Sequence, residues 1–454
     1  MQVVPFVREG LGNSSYLVQV GESEAVLIDP DRSVDRYLRS ARERGWKIGA
    51  VLETHLHADF VSGALEVGYL TNAHLYASEA AELQFPHKPL KGGQRILIGD
   101  VRVEVISSPG HTPEHLTYSL RGDRQPPVLF SGGALIVGGA ARTDLISPEM
   151  TETLTRATYR TLREAFSELP DETLLYPTHG RGSFCSTGAG GRRASTLGAE
   201  RAENPLMSIR DEEEFVSWFP STFPSGIPDY FFRMRSFNQA GPRLRSRFAA
   251  PPPLSPDEFD AAREAALVID VRPYEDYAIA HVPGAISNTF RDVYATFLGW
   301  VVPPDKPLLF VLGDVLLDRV VDESLLVGYE RFAGWLDGDM DSWMARGLPV
   351  SQVRLATANE ARVSILNGAV ALDVREDGEF ASGHIEGAVH VPLGRLEARL
   401  EEIPRDKLII AYCGHGERSS TALSILERAG AGDLVNLSGG MGAWRDSGYA
   451  AVEC

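Results

Sequence analysis

Cysteine is scarce in this sequence: the 454 residues contain three, at positions 185, 413 and 454, too far apart to suggest a disulfide framework. That usage points to a reducing, cytoplasmic setting. Long apolar runs are missing as well; none approaches the ~18 residues that a membrane-spanning helix needs. The opening Met1-Gln-Val-Val-Pro-Phe-Val-Arg8 has no signal-peptide layout. Positive charge is also in short supply. Lys and Arg number 44 against 62 Asp and Glu, a net charge of −18, which argues against nucleic acid or an anionic membrane as a partner. The cluster Arg233, Arg235, Arg243, Arg245 and Arg247 is a local exception, read first as a solvated linker face and second as an anion-binding patch. Apolar content of 43% and charged content of 23% describe an ordinary globular protein, and its length calls for two or three domains.

The most informative stretch surrounds Cys413. An apolar, strand-like Leu408-Ile-Ile-Ala-Tyr412 leads into Cys413-Gly-His-Gly-Glu-Arg418, after which a helix begins. Gly414, His415, Gly416 and Glu417 form a short loop at a helix N-terminus. Two glycines let such a loop curl so that backbone N–H groups point at the sulfur. With Arg418, those dipoles can hold an anionic sulfur, which suits carrying a sulfur atom as a persulfide.

The segment Tyr412-Cys413-x-x-Gly416-x-Arg418-Ser419 resembles the active loop of rhodanese sulfurtransferases. Ala371-Leu-Asp-Val-Arg375, Gly383-His-Ile-Glu-Gly-Ala388 and Asn436-Leu-Ser-Gly-Gly-Met-Gly-Ala-Trp444 extend the likeness. The resemblance implies that Cys413 is the nucleophile and Arg418 the loop-closing arginine.

Histidines gather in the first half. His55, His57 and Asp59 follow a strand-like run, His111 and His115 follow another, and His179 ends a third. Residues of these types at strand ends can converge on one ion. The pattern resembles the metallo-β-lactamase fold, an αββα sandwich covering residues 1–241, whose first loop reads His-x-His-x-Asp-His. By that resemblance the metal ligands are His55, His57, Asp59, His111 and His179. Two positions depart from it: Phe60 stands where the last histidine of that loop would be, and Gly133 where a carboxylate ligand would be. Gly139-Ala-Ala-Arg142-Thr-Asp-Leu145 and Gly180-Arg-Gly-Ser-Phe-Cys185 resemble persulfide dioxygenase segments, implying substrate contacts from Arg142 and Cys185. The run Gly188-Ala-Gly-Gly191 with Arg192 and Arg193 reads as an anion site or a flexible loop.

A proline-rich connector spans residues 242–256. Residues 257–350 then repeat the pattern of 351–454: Leu267-Val-Ile-Asp-Val-Arg272 parallels Val370-Ala-Leu-Asp-Val-Arg375, but Asp314 stands where the second copy has Cys413. The expected architecture is therefore an αββα sandwich followed by two doubly wound α/β modules, the first without a thiol. This order resembles the bacterial persulfide dioxygenase–rhodanese fusions. The resemblance implies oxidation of a glutathione-type persulfide by O₂ to sulfite at a single iron (or zinc) ion, coupled to transfer of sulfur among persulfide, thiosulfate and sulfite through Cys413. It also implies a homo-oligomer. Two alternatives stay open: a sulfurtransferase on a metal-depleted scaffold, and a glyoxalase-II-like thioester hydrolase.

Overall fold

A computed structural model describes residues 1–122, 125–187, 191–224 and 226–453. Gly188, Ala189 and Gly190 of the glycine-rich run, and Cys454, lie outside the described residues. No helix among the described residues is long and apolar enough to cross a membrane. The chain divides into two compact units, Met1–Phe248 with Leu325–Gly328, and Ala249–Ser324 with Tyr329–Cys454.

The first unit holds two six-stranded sheets. One runs in chain order through Val3–Arg8, Asn13–Gln19, Glu24–Ile28, Lys47–Leu52, His74–Ser78 and Lys88–Leu90. The other runs through Arg95–Ile98, Val101–Ser107, Leu116–Arg121, Val128–Gly132, Leu174–Pro177 and Ser195–Thr196. Val101–Ser107 shows why the sheets stack. Val101, Val103 and Val105 are buried while Arg102 between them is exposed, the two-residue period of a strand with one face inward. Those valines join Val26, Ile28, Leu52, Tyr118 and Phe130 in a core between the sheets. Each such fully buried side chain contributes roughly 1.5–3 kcal/mol. Glu24–Ile28 has no polar face beyond its first residue, because the helix Asp35–Glu43 covers its outer side with Tyr37 and Ala41. Outside the second sheet, Leu162, Phe166, Phe215 and Phe219 pack over Leu129 and Leu175. Helix, sheet, sheet and helix layers give the αββα order, and loops leaving the strand ends converge at one edge of it.

The second unit contains two five-stranded parallel sheets of identical topology. The spatial order is Pro253–Leu254, Phe332–Leu336, Leu308–Val311, Leu267–Asp270, Ile286–Ser287 in one. In the other it is Arg354–Ala356, Leu434–Leu437, Ile409–Tyr412, Val370–Asp373, Val389–His390. The duplication reaches individual bonds. Arg272 chelates Asp270 (Nε to Oδ1, 2.9 Å) and donates to the Ala280 carbonyl, as Arg375 does with Asp373 (2.9 Å) and the Gly383 carbonyl. Trp343 Nε1–H donates to Pro349, and Trp444 Nε1–H to Ala450. One detail departs from the proline-rich connector: Pro253–Leu254 is an edge strand paired with Trp335 and Leu336. Proline is tolerated there because an edge strand need not donate on both sides.

Candidate metal centre and sulfur-transfer site

The loop after Lys47–Leu52 delivers His55, His57 and Asp59; the loop after Val101–Ser107 delivers His111; the loop after Leu174–Pro177 delivers His179. All five are buried and close together. Ligand atoms of His55, His111 and His179 lie within 4.8 Å of one another.

The hydrogen-bond network fixes their tautomers. Thr54 Oγ1–H is spent on Asp29 Oδ2 (2.7 Å), so the 2.8 Å contact between Thr54 Oγ1 and His55 Nδ1 must run from the imidazole. His111 Nδ1–H donates to the Arg142 carbonyl (2.7 Å). His179 Nδ1–H donates to Asn13 Oδ1 (3.1 Å), with Asp59 Oδ2 at 3.3 Å. Each ring therefore carries its proton on Nδ1 and presents a bare Nε2. The Nε2 atoms of His55 and His179 face each other at 3.2 Å, and His111 Nε2 is buried with no partner. Facing lone pairs repel unless a cation lies between them, and outer groups that fix Nδ1–H are what metal-binding histidines use. These three residues fit one divalent ion. Burial, aided by the neighbouring rings, keeps His55 and His111 well below the ordinary histidine pKa, so both are neutral and ready to ligate.

His57 and Asp59 meet the same cluster but do other work. His57 Nε2 lies 3.5 Å from Asp29 and 3.3 Å from Glu53, and its ring stacks on Phe60 at 4.2 Å. Burial opposes charge on His57, yet the two carboxylates push its pKa up to about 10. Burial raises Glu53, so Asp29 is the principal counter-ion; burial would raise Asp29 too, but the His57 charge and threonine hydrogen bonds hold it below the usual range. Asp59 accepts from Asn13 Nδ2 (2.8 Å) and stays ionised against His179 despite its burial. His57–Asp59–His179 and Asp29–His55–His57 are also close enough to share an ion. Both groups, however, include a histidine already held by carboxylates.

The two departures have structural consequences. Phe60 fills the place beside His57. A Cβ built on Gly133 would sit 2.7 Å from His111 Cδ2 and 2.9 Å from Ala141 Cβ, so the space for a carboxylate there is occupied by the histidine itself. The Gly133 N–H caps His115 Nε2 (3.0 Å), and burial drives His115 down to about 3. Arg142 is buried and engaged, chelating Asp144 (2.6 and 2.8 Å) and donating to the Gly226 carbonyl, which leaves little for a substrate. Cys185 is buried beside Asp59; burial and that charge push its thiol well above the ordinary value. Asn13, Asp29 and Glu53 escaped the sequence reading. A buried aspartate closing an apolar strand, as Asp29 does after Glu24–Ile28, is the signal that could have found one of them. In the loop between His111 and His115, Glu114 chelates Arg235 (2.7 and 2.9 Å) and accepts from the Leu56 N–H.

In the second unit, Ile409–Tyr412 ends at Cys413 and the helix Glu417–Arg428 begins four residues later. Gly416, at φ +128°, turns its N–H onto Cys413 Sγ at 3.1 Å, and Ser419 Oγ lies 3.6 Å from the sulfur. Met441 and Gly442 N–H groups tie the Cys413 and Gly414 carbonyls (2.7 and 3.1 Å), which anchors the start of the loop. Arg418 is half-buried and chelates Glu379 (2.7 Å twice), so it braces the loop rather than touching the sulfur. His415 is exposed at the loop tip. Cys413 itself is 1% exposed.

Residues 8–179 match the metallo-beta-lactamase superfamily, and residues 255–346 and 357–447 each match the rhodanese-like domain. The chain thus belongs to the metallo-beta-lactamase superfamily and carries two rhodanese-like domains behind that fold. Among particular relatives, it is 31% identical over 274 residues to a hydroxyacylglutathione hydrolase of Polaromonas sp., spanning 57% of this chain and 94% of that protein. It is 30% identical over 202 residues to the mitochondrial persulfide dioxygenase ETHE1 of Homo sapiens, spanning 44% of this chain and 73% of that one. A crystal structure of a metallo-beta-lactamase from Staphylococcus aureus superposes with TM-score 0.64 at 28% identity, covering 74% of this chain and 98% of that one.

Proposed function

We propose that this protein works on sulfane sulfur. Cys413 transfers a sulfur atom as a persulfide, and one metal ion held by His55, His111 and His179 serves oxidation of a small thiol persulfide to sulfite. The carrying observation is the Gly416 N–H directed at Cys413 Sγ at the start of a helix, a donor placed where negative charge sits on the nucleophile. An iron ion at the histidine site would supply O₂ activation, and zinc fits the same donors without that chemistry. Around it, Asp59 and Asn13 fix His179, the Arg142 carbonyl fixes His111, and Thr54 fixes His55. The charged His57 contributes positive potential in the same water-poor pocket. Joining both reactions on one chain raises the concentration of one site's product at the other. We propose domain limits of 1–241, 257–350 and 351–454 around the connector 242–256, whose Pro253–Leu254 pairs with the first α/β module.

The thioester-hydrolase alternative needs two ions bridged by a carboxylate. Gly133 supplies no carboxylate and Phe60 no second-site histidine, which weighs against it. The test measures three quantities on the iron-loaded protein: metal per chain, O₂ uptake with glutathione persulfide, and transfer from thiosulfate to cyanide. One ion per chain, O₂ uptake lost in His111→Ala, and transfer lowered by about 10³-fold or more in Cys413→Ser are expected. Transfer that survives Cys413→Ser overturns the nucleophile; two ions per chain with thioesterase activity overturns the single-ion reading.

A further inference from the structure

The thiol-less module is more than a spacer. Its segment from Ile286 onward runs along the helix that starts beside Cys413. Ser287 N–H donates to Ser424 Oγ (3.2 Å), and the Ser287 and Ser420 hydroxyls share a hydrogen bond (2.8 Å). His281 Nε2 meets Glu427 at 2.9 Å farther down the same helix. At the nucleophile loop the Tyr274 ring lies so close that a Cβ on Gly416 would come 2.6 Å from its Cζ. Trp300 closes over Gly394 in the same way, at 2.4 Å. Tyr274 thus borders the nucleophile loop from the neighbouring module, while Ser287 and Trp300 seat that module on the helix and at Gly394. Arg291 belongs to the same segment, between Ser287 and Trp300, with Glu417, Cys413 and Arg418 as its electrostatic neighbours.

Arg291 is unusual among the arginines here. It is partly buried, and among the described residues its guanidinium has no ion-pair or hydrogen-bond partner, only the Phe297 ring at 5.4 Å. Its electrostatic neighbours are Glu417, Cys413 and Arg418, the first residues of the nucleophile loop and helix. Burial is the largest influence on it and weakens its hold on the proton, the mark of a cation short of counter-charge. Arg418 cannot fill the anion-binding role, since Glu379 occupies both of its terminal nitrogens. A desolvated guanidinium with no acceptor in hydrogen-bond contact is costly to keep even with Glu417 nearby, and an oxyanion offers the planar fork two acceptors.

We propose that Arg291, supplied by the thiol-less module, binds the sulfonate end of thiosulfate at the Cys413 site, so that the two modules build one composite active site. The proposal rests on Cys413 being the sulfur carrier. In the transfer step the Cys413 thiolate attacks the outer sulfur of thiosulfate. A new S–S bond forms, the sulfur–sulfonate bond breaks, and sulfite departs with the electron pair, leaving Cys413 as a persulfide anion. Total charge is −3 on both sides of that step. Arg291 contacts the oxygens on which the departing charge collects. This explains why a module without a thiol keeps its fold and its seat beside the nucleophile.

The experiment uses the full chain with Arg291→Ala, Arg291→Lys and, as a control on the same module, the exposed Arg346→Ala. Steady-state transfer from thiosulfate to cyanide is expected to show KM for thiosulfate raised about tenfold or more in Arg291→Ala, with kcat within about threefold. Arg291→Lys should recover part of the loss, and KM for cyanide should not move. Independently, calorimetric binding of sulfite to the Cys413→Ser protein should weaken by a similar factor when Arg291→Ala is added. Unchanged thiosulfate KM and sulfite affinity overturn the proposal, as does an equal effect of Arg346→Ala. If the wild type transfers no sulfur while sulfite binding still depends on Arg291, the sulfurtransferase reading falls and the anion site stands. Should Arg291→Ala fail to fold, Arg291→Gln, which retains the stem, carries the same comparison.

Discussion

His57 is the residue whose role the sequence pattern describes least well. It occupies a ligand position in His-x-His-x-Asp, yet its Nε2 faces Asp29 and Glu53 and its ring rests on Phe60. Removing one member of a buried ion pair strands the other and costs about 3–5 kcal/mol. His57→Gln is therefore expected to lower stability by about 3 kcal/mol in denaturant titration while leaving one metal per chain by elemental analysis. His179→Ala should do the reverse, losing the ion with a smaller stability change; metal loss in His57→Gln and not in His179→Ala would refute the assignment. Near the other site, Glu376 is a pH-dependent liability. Burial, partly offset by Arg418, moves it from 4.5 to about 7. A carboxyl raised in the folded state gives stability that is complete below pH 4.5 and is lost as pH rises through about 7. Glu376→Gln should thus match wild type near pH 4 and exceed it by about 2 kcal/mol at pH 8, allowing for the side chain's partial exposure. Melting curves across that range decide it, and a constant difference at all pH values would count against the buried-carboxyl account.

At the scale of elements, the two α/β modules share a clamp in which a strand-end aspartate holds the arginine two residues on and that arginine ties the following loop. Asp373 and Arg375 are nearly inaccessible to solvent. Asp373→Ala is expected to cost about 3–5 kcal/mol, and Asp373→Ala with Arg375→Met clearly less, because the second change removes the stranded charge. Chemical denaturation of both variants measures the difference. This clamp was legible in the sequence because it is local and occurs twice, as Leu-Asp-Val-Arg and Ile-Asp-Val-Arg. The Cys413 loop was legible for the same reason: strand, glycines, cysteine and helix follow within a dozen residues. Less could be read where partners are far apart in the chain. Asn13 meets His179 across 166 positions, and Asp29 meets Thr178 across 149. No local pattern marks those pairs, and the inward turn of His57 depends on carboxylates from two different strand ends. Pro253–Leu254 was obscured by the opposite effect: a strong local proline signal masks a strand whose partner lies some 80 residues downstream.

For the whole molecule, the decisive quantity is a net charge of −18 set against the proposed substrates, which are themselves anions. Near Cys413 the positive contributions are local, from Arg291 and the helix N-terminus, with Arg418 balanced by Glu379. Farther out it is that of an acidic surface, which repels a thiosulfate dianion before it reaches the loop. Salt separates the two regions by distance. The screening length falls from about 30 Å at 0.01 M to about 8 Å at 0.15 M ionic strength, which removes the far field and leaves contacts inside the pocket largely intact. Raising ionic strength over that range is therefore expected to increase kcat/KM for thiosulfate by about two- to fivefold, the reverse of an electrostatically steered enzyme. The cyanide half-reaction provides an internal reference, because near neutral pH that acceptor is chiefly the uncharged acid and should not respond. A fall in kcat/KM for thiosulfate with salt would mean that the arginines at the loop dominate even at long range, and that the acidic surface has no influence on substrate capture.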